Sequence, residues 1–182
     1  MDAIEAANSG HPGLPLGCAE ICAYLYANQM VINPKQPKWI NRDRFVLSAG
    51  HGSMVLYSIL QLTGHNLSMG DIQNFRQMGS PTAGHPEYNE VDGVETTTGP
   101  LGQGFATAVG MALGAKMLSE TFSSSPDLFN STTYVLASDG CIMEGITSES
   151  SSLAGHLNLD NLIVFYDSND ICLDGPTDEC LS

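Results

Sequence analysis

"TYVLASDGCIMEGITSESSSLAGHLNLDNLIVFYDSN", Thr133 to Asn169, decides the fold. TYVLAS and NLIVFYD are short apolar runs rich in β-branched and aromatic residues and read as buried strands. GITSESSSLAGHL between them has the length and spacing of a helix. Strand, helix and strand within about thirty residues form one crossover unit, which is right-handed and lays the two strands parallel, with their carboxyl ends at one edge.

The rest of the chain repeats this alternation. RFVLS, Arg44 to Ser48, is a third apolar run; the glycine turn AGHGS follows it, and MVLYSILQL, Met54 to Leu62, resumes helical periodicity. LPLGCAEICAYLYANQM, Leu14 to Met30, is a helix whose start is marked by Pro12 and Pro15 and whose end is marked by Asn33-Pro34. GPLGQGFATAVGMALGAKMLSE, Gly99 to Glu120, runs from a glycine-rich turn into a helix of small and apolar residues. Thr63 to Thr98 is rich in Gly, Pro, Asn and Thr, with a short helical candidate at Ser68 to Gln77, and loops of such length are usually functional or disordered. TFSSSPDLFNSTT, Thr121 to Thr133, reads as a surface loop, and no internal repeat is visible. The expected fold is α/β, a parallel sheet flanked by helices, with a ligand bound beyond the carboxyl ends of the strands.

Composition narrows the functional classes. The 182 residues are 42% hydrophobic, enough for one sizeable core and a single domain. Twenty acids against six bases give a net charge of −14, and no Lys or Arg follows Lys116. A nucleic-acid binder needs a basic face to neutralise phosphates, so no nucleic-acid partner is expected. Any phosphate bound here must be held by backbone N–H groups, a metal or a partner. No signal-peptide pattern and no run of 18 apolar residues is present, so a cytoplasmic protein without a membrane partner is expected. The five cysteines form no CxxC pair; Cys18 and Cys22, four apart on the first helix, read as small buried hydrophobes in a reducing compartment, with a metal clip as the alternative.

The chemistry gathers at the predicted strand ends. Asp139 closes one strand and Asn169 the next, so the crossover brings both side chains to one edge. A carboxylate and an amide carbonyl are hard oxygen donors that suit Mg²⁺ or Ca²⁺ and leave the remaining positions to water and phosphate oxygens. The other use of the same residues is a helix N-cap Asp and a turn Asn. Gly140, without a side chain, lets a phosphate approach the backbone where the following helix begins. TTTGPLGQG, Thr96 to Gly104, lacks both the GxGxxG and the GK[ST] spacing, so a nucleotide is not indicated. His11, His51 and His85 each stand beside glycine in a turn (SGHPG, AGHGS, AGHPE), a setting better suited to a polar ligand than an apolar helix face. His65 and His156 read as ordinary surface or packing residues.

SGHPG, RFVLSAGHGS, GHPE, GVETTTGPLGQG, SDGCIMEG and FYDSND, in this order over nearly the whole chain, resemble transketolase, a thiamine-diphosphate enzyme. The resemblance implies that residues 1–182 are an incomplete amino-terminal, diphosphate-binding domain, the pyrimidine-binding and carboxyl-terminal domains being absent. It implies transfer of a two-carbon ketol unit between sugar phosphates in the pentose phosphate pathway, by a homodimer. Asp139, Asn169 and the backbone carbonyl of Ile171 would hold Mg²⁺ across the cofactor's phosphates, with Asn169 close to the cofactor as well. His51 and Gly140 would contact the diphosphate, while Gly99, Pro100 and Leu101 would line the cofactor. His11 and His85 would reach the donor sugar and assist proton transfers. Glu144 and Glu149 match acids that couple two active sites across the dimer interface; their other reading is that of acids favoured in the first turns of a helix by its dipole.

Three positions depart from the family pattern: Ser138 replaces a usual Gly and is expected to narrow the phosphate approach, Asp170 adds an acid beside the proposed metal, and Asp160 stands where relatives often carry a basic residue or Gly. In the family the pyrimidine-binding domain supplies the glutamate that activates the cofactor and the arginines that bind substrate phosphate, so this chain alone is expected not to be competent. One chain of a split or other thiamine-diphosphate enzyme, and a non-catalytic binding module, are the alternatives.

Overall fold

A computed structural model of the chain describes residues 1–172 and 175–180. In chain order the elements are α1 (Asp2–Ala7), α2 (Gly13–Tyr24), β1 (Arg44–Leu47), α3 (Ser53–Leu62), α4 (Met69–Gln73), α5 (Gln103–Thr121), β2 (Thr133–Ser138), α6 (Asp139–Ile142), α7 (Gly145–His156), β3 (Leu162–Asp167), β4 (Ile171–Cys172), β5 (Gly175–Pro176) and α8 (Thr177–Cys180).

The sheet is parallel in the order β1-β2-β3, with Phe45 opposite Tyr134, and Tyr134 opposite Ile163. The crossover expected from Thr133 to Asn169 is present, and its helix over GITSESSSLAGHL is α7; a single further turn, α6, precedes it at the end of β2. Every residue of the central strand β2 is buried, as a parallel strand covered on both faces must be. Side chains alternate across the sheet. One face carries Phe45, whose ring meets Tyr26 edge-on at 5.6 Å, and Tyr134, which faces α2. The opposite face packs against α5, and α5 packs in turn against α7.

β3 is less covered. Ile163, Val164 and Tyr166 are 39%, 38% and 52% exposed, and among the described residues no strand pairs with its outer edge.

Helix boundaries follow local chemistry. The predicted Leu14–Met30 helix is α2 continued by a π-helical turn, Leu25–Gln29. Cys18 and Cys22 are 2% and 1% exposed within the core, and burial pushes their thiols up to about 11 and about 12, which keeps them protonated and inert. α5 starts at Gln103, four residues later than the glycine pattern suggested, because Gly99 and Gly102 take positive φ angles of 142° and 80° and form a turn. α1 and the β4–β5 hairpin were not anticipated; both are too short to carry a periodicity.

Candidate active site at the strand ends

The turns that leave the carboxyl ends of β1 and β2 meet the 98–102 loop. The contact with β1 is so close that a Cβ on Gly50 would lie 2.5 Å from the Gly99 N and from Thr98 Oγ1. Across from it, a Cβ on Gly102 would lie 2.7 Å from Glu144 Cβ, and one on Gly140 would lie 2.7 Å from Leu101 Cδ1. Gly99, with its positive φ, lies against the His85 ring, where an added Cβ would come within 3.1 Å. Gly99 and Leu101 of this loop thus pack against His85 and Gly140, each distant from the loop in sequence. Gly50 packs on the same loop, and the hydroxyl of buried Thr98 has no hydrogen-bond partner among the described residues. The sequence singled out neither, since the signal for Gly50 is a backbone contact with a loop nearly fifty residues away.

Asp139 and Asn169 meet as the crossover requires. Asp139 is 2% exposed, and its Oδ2 accepts the N–H groups of Asn169 (2.8 Å) and Asp170 (3.0 Å), while its Oδ1 accepts the Tyr166 hydroxyl. Burial pushes this carboxyl up, but the Tyr166 hydroxyl and the backbone N–H groups outweigh it and hold the acid below the usual carboxylate range. Asp170 adopts φ 61°, the left-handed conformation that lets two successive N–H groups point at one carboxylate. Its conformation thus serves the Asp139 carboxylate. Asn169 Oδ1 accepts the Ile171 N–H at 3.2 Å.

This donor set fits a hard divalent cation. Asp139 is ionised, and its Oδ1 and the Asn169 Oδ1 each have a lone pair beyond the one already engaged. Among the described residues no three His, Cys, Asp or Glu side chains gather as ligands, so two side chains would share the ion with backbone carbonyl, water or phosphate oxygens.

The histidines form a cluster beside this edge. His11 and His51 are 5.1 Å apart between ring centroids and stand edge to face. Burial, then the nearby His11 and His85, holds His51 below the usual histidine range, with Asp167 pulling the other way. Burial, then Arg76 and His11, does the same to His85. His51 and His85 therefore rest as neutral rings able to accept a proton. His65 lies apart, buried beside Thr63, and His156 ends α7.

Glu144 is the N-cap residue of α7 without a capping hydrogen bond from its side chain, and Glu149 lies one turn on; both are exposed. The Ser138 hydroxyl donates to Cys141 Sγ at 3.8 Å, and Asp160 pairs with Lys116 at 3.1 Å. Among the described residues no helix is long and apolar enough to cross a membrane.

Comparison with known proteins agrees with this geometry. Residues 1–182 match the family described as transketolase, thiamine diphosphate binding domain. A transketolase of Treponema pallidum is 58% identical over 179 residues, covering 98% of this chain but 27% of that protein. The solved transketolase of Leishmania mexicana superposes with a TM-score of 0.96 at 48% identity, covering all of this chain and 27% of the other. A Pichia stipitis transketolase solved in complex with sedoheptulose-7-phosphate gives 0.88 at 49% identity, again over 27% of its length. The chain thus spans about a quarter of the length of these relatives. With its motifs in order, its sheet topology and its strand-end site, the chain belongs to the transketolase family, as a thiamine-diphosphate-binding domain.

Proposed function

We propose that these residues are the amino-terminal, diphosphate-binding part of a transketolase, which transfers a two-carbon ketol unit from a ketose phosphate to an aldose phosphate. The observation that carries the proposal is the buried Asp139 bonded to Asn169 at adjacent strand ends, next to Gly140 where it packs on Leu101 of the 98–102 loop. Asp139, Asn169 and the carbonyl of Ile171 would hold Mg²⁺, which Ca²⁺ could replace, and Gly140 and His51 would receive the diphosphate. Gly99, Pro100 and Leu101 would line the cofactor.

Thiamine diphosphate, when bound, supplies the carbon nucleophile and electron sink that breaking a carbon–carbon bond beside a carbonyl requires. The chain's own residues do the rest. Asp139 and Asn169 would hold an ion whose positive charge this chain, of net charge −14, does not itself provide. His85, a neutral ring, accepts a proton from a sugar hydroxyl, and His11 binds and orients the same substrate. The complex of the Pichia stipitis relative with a sugar phosphate supports that substrate class. Exposed Glu144 and Glu149 would meet a second subunit in a homodimer and carry protons between sites.

Calorimetric titration of thiamine diphosphate into the 182-residue chain, with and without Mg²⁺, tests the site. Binding that requires the metal and disappears in Asp139→Ala is expected. Equal binding in wild type and variant would remove the strand-end site from the proposal. A ketol-transfer assay on the same chain is expected to show no turnover, because the cofactor-activating glutamate and the phosphate-binding arginines belong to the pyrimidine-binding domain; full turnover by this chain would refute that part.

A further inference from the structure

Arg76 stands beside the histidine cluster with its backbone at φ 60°. That conformation is disfavoured for a residue with a long side chain by about 1–2 kcal/mol and persists only where the surroundings impose it. Here they do. The Arg76 N–H donates to Thr82 O at 2.9 Å, and Nη1 donates to Ser9 Oγ at 2.8 Å. The guanidinium carbon lies 5.5 Å from the Phe75 ring centroid. On its other side Gly84 leaves the slot open, since a Cβ there would meet Nε at 2.9 Å and Cζ at 3.1 Å. Nε itself is buried with no hydrogen-bond partner among the described residues, so packing rather than complete hydrogen bonding seats the group. A surface arginine serving only solubility would need none of this.

The seat aims Nη2 at His11 Nδ1, 3.5 Å away, the outer limit of a donated bond. Arginine can only donate, so a neutral His11 ring in this orientation presents its Nδ1 lone pair and carries its proton on Nε2. We infer that Arg76 is a positioning residue, which sets the orientation and tautomer of His11 so that this ring offers an Nε2–H donor to a ligand oxygen. The inference rests on the proposed function for the role of the histidines, and adds what holds one of them in donor form.

The same guanidinium faces His85 and, after burial, is the largest influence holding that ring neutral. Among the described residues, His51 with Asp167 beyond it also faces these rings, and the Tyr57 hydroxyl donates to His85 O at 3.4 Å. His11 in SGHPG and His85 in AGHPE thus have like sequence settings but opposite roles, one donating and one accepting.

Long-range ¹H–¹⁵N correlation spectra of the histidine-labelled chain at pH 7.5 test the assignment, in wild type, R76M and R76K, with backbone amide spectra confirming the fold. Methionine preserves the stacking stem without a donor. The expected result is a single Nε2–H tautomer of His11 in wild type, a mixture in R76M with an upward shift of the His85 titration midpoint, and recovery of both in R76K. A mixed or Nδ1–H His11 in wild type overturns the assignment, as do unchanged His11 and His85 signals in a folded R76M. Should R76M not fold, wild type and R76K decide alone: Nε2–H in both sustains it, and Nδ1–H or a mixture in either overturns it. The spectra need no cofactor, so a failure of cofactor binding counts against the proposed function and leaves this result standing.

Discussion

At the scale of single residues, the site is made of positions where side-chain atoms are either fully used or forbidden. Asp139 is the first kind: three groups donate to one buried carboxylate, so its charge is in place before any cation arrives. Gly50 is the second kind. A methyl group there would sit 2.5 Å from the Gly99 backbone nitrogen, and neither backbone can yield without moving the 98–102 loop. Gly50→Ala is therefore expected to lower stability by about 1–3 kcal/mol, the usual cost of overpacking, and to weaken thiamine diphosphate binding as well. Urea unfolding and calorimetric titration of the same variant check both, and an unchanged midpoint together with unchanged affinity would show that the loop is softer than its packing implies. The placement of Asp139, Gly140 and Asn169 at the strand ends was legible in the sequence, because it follows from hydrophobic pattern alone. Tyr166, Thr98 and Arg76 were not, because their importance comes from neighbours that only folding supplies.

At the scale of elements, local signals set most boundaries, and departures from them have local causes. α4 is one and a half turns long and depends on its cap: Ser68 Oγ accepts the Asp71 N–H at 3.1 Å, while the Asp71 carboxylate accepts the Ser68 N–H at 2.8 Å. The Ser68 hydroxyl and N–H hold the Asp71 carboxyl below the usual range. A lowered acid stabilises the fold fully above its unfolded value of about 3.9, and that contribution is lost as pH falls through the lower folded value. Ser68→Ala is expected to cost about 1 kcal/mol near neutrality, with the gap from wild type narrowing in acid below about pH 4. Denaturant midpoints measured at pH 7 and pH 3 check the sign, and a gap that widens in acid would contradict it. The helix over GITSESSSLAGHL, expected from spacing, is α7, but nothing in that pattern shows that Asp139 opens a separate turn, α6, whose carboxylate is committed to the residues after β3.

At the scale of the whole molecule, the three-stranded sheet has one strand too little covered for its composition. Ile163 and Phe165 of β3, with Ile21 and Tyr24 of α2, line an apolar groove of 520 Å³ along the α2 face. An exposed apolar edge is a template for pairing with another chain. The 182-residue chain is expected to associate as its concentration rises, and Ile163→Lys, at a position already 39% exposed, is expected to reduce association while keeping the fold. Sedimentation velocity over a concentration series checks this, and a monomer at all concentrations would show that the edge is protected. The order of strands and helices, the parallel sheet and the edge on which Asp139, Asn169 and Gly140 lie could all be read from the chain, because hydrophobic period and crossover handedness are local or nearly local rules. The sequence also carried the family, through motifs whose order survives without knowledge of their contacts. Only the tertiary structure decided that Gly50 presses on Gly99, that Tyr166 and two N–H groups share the Asp139 carboxylate, and that Arg76 reaches His11 across 65 residues of chain. Such contacts close long loops, and the chain pattern that encodes each partner says nothing about which distant partner folding will bring to it.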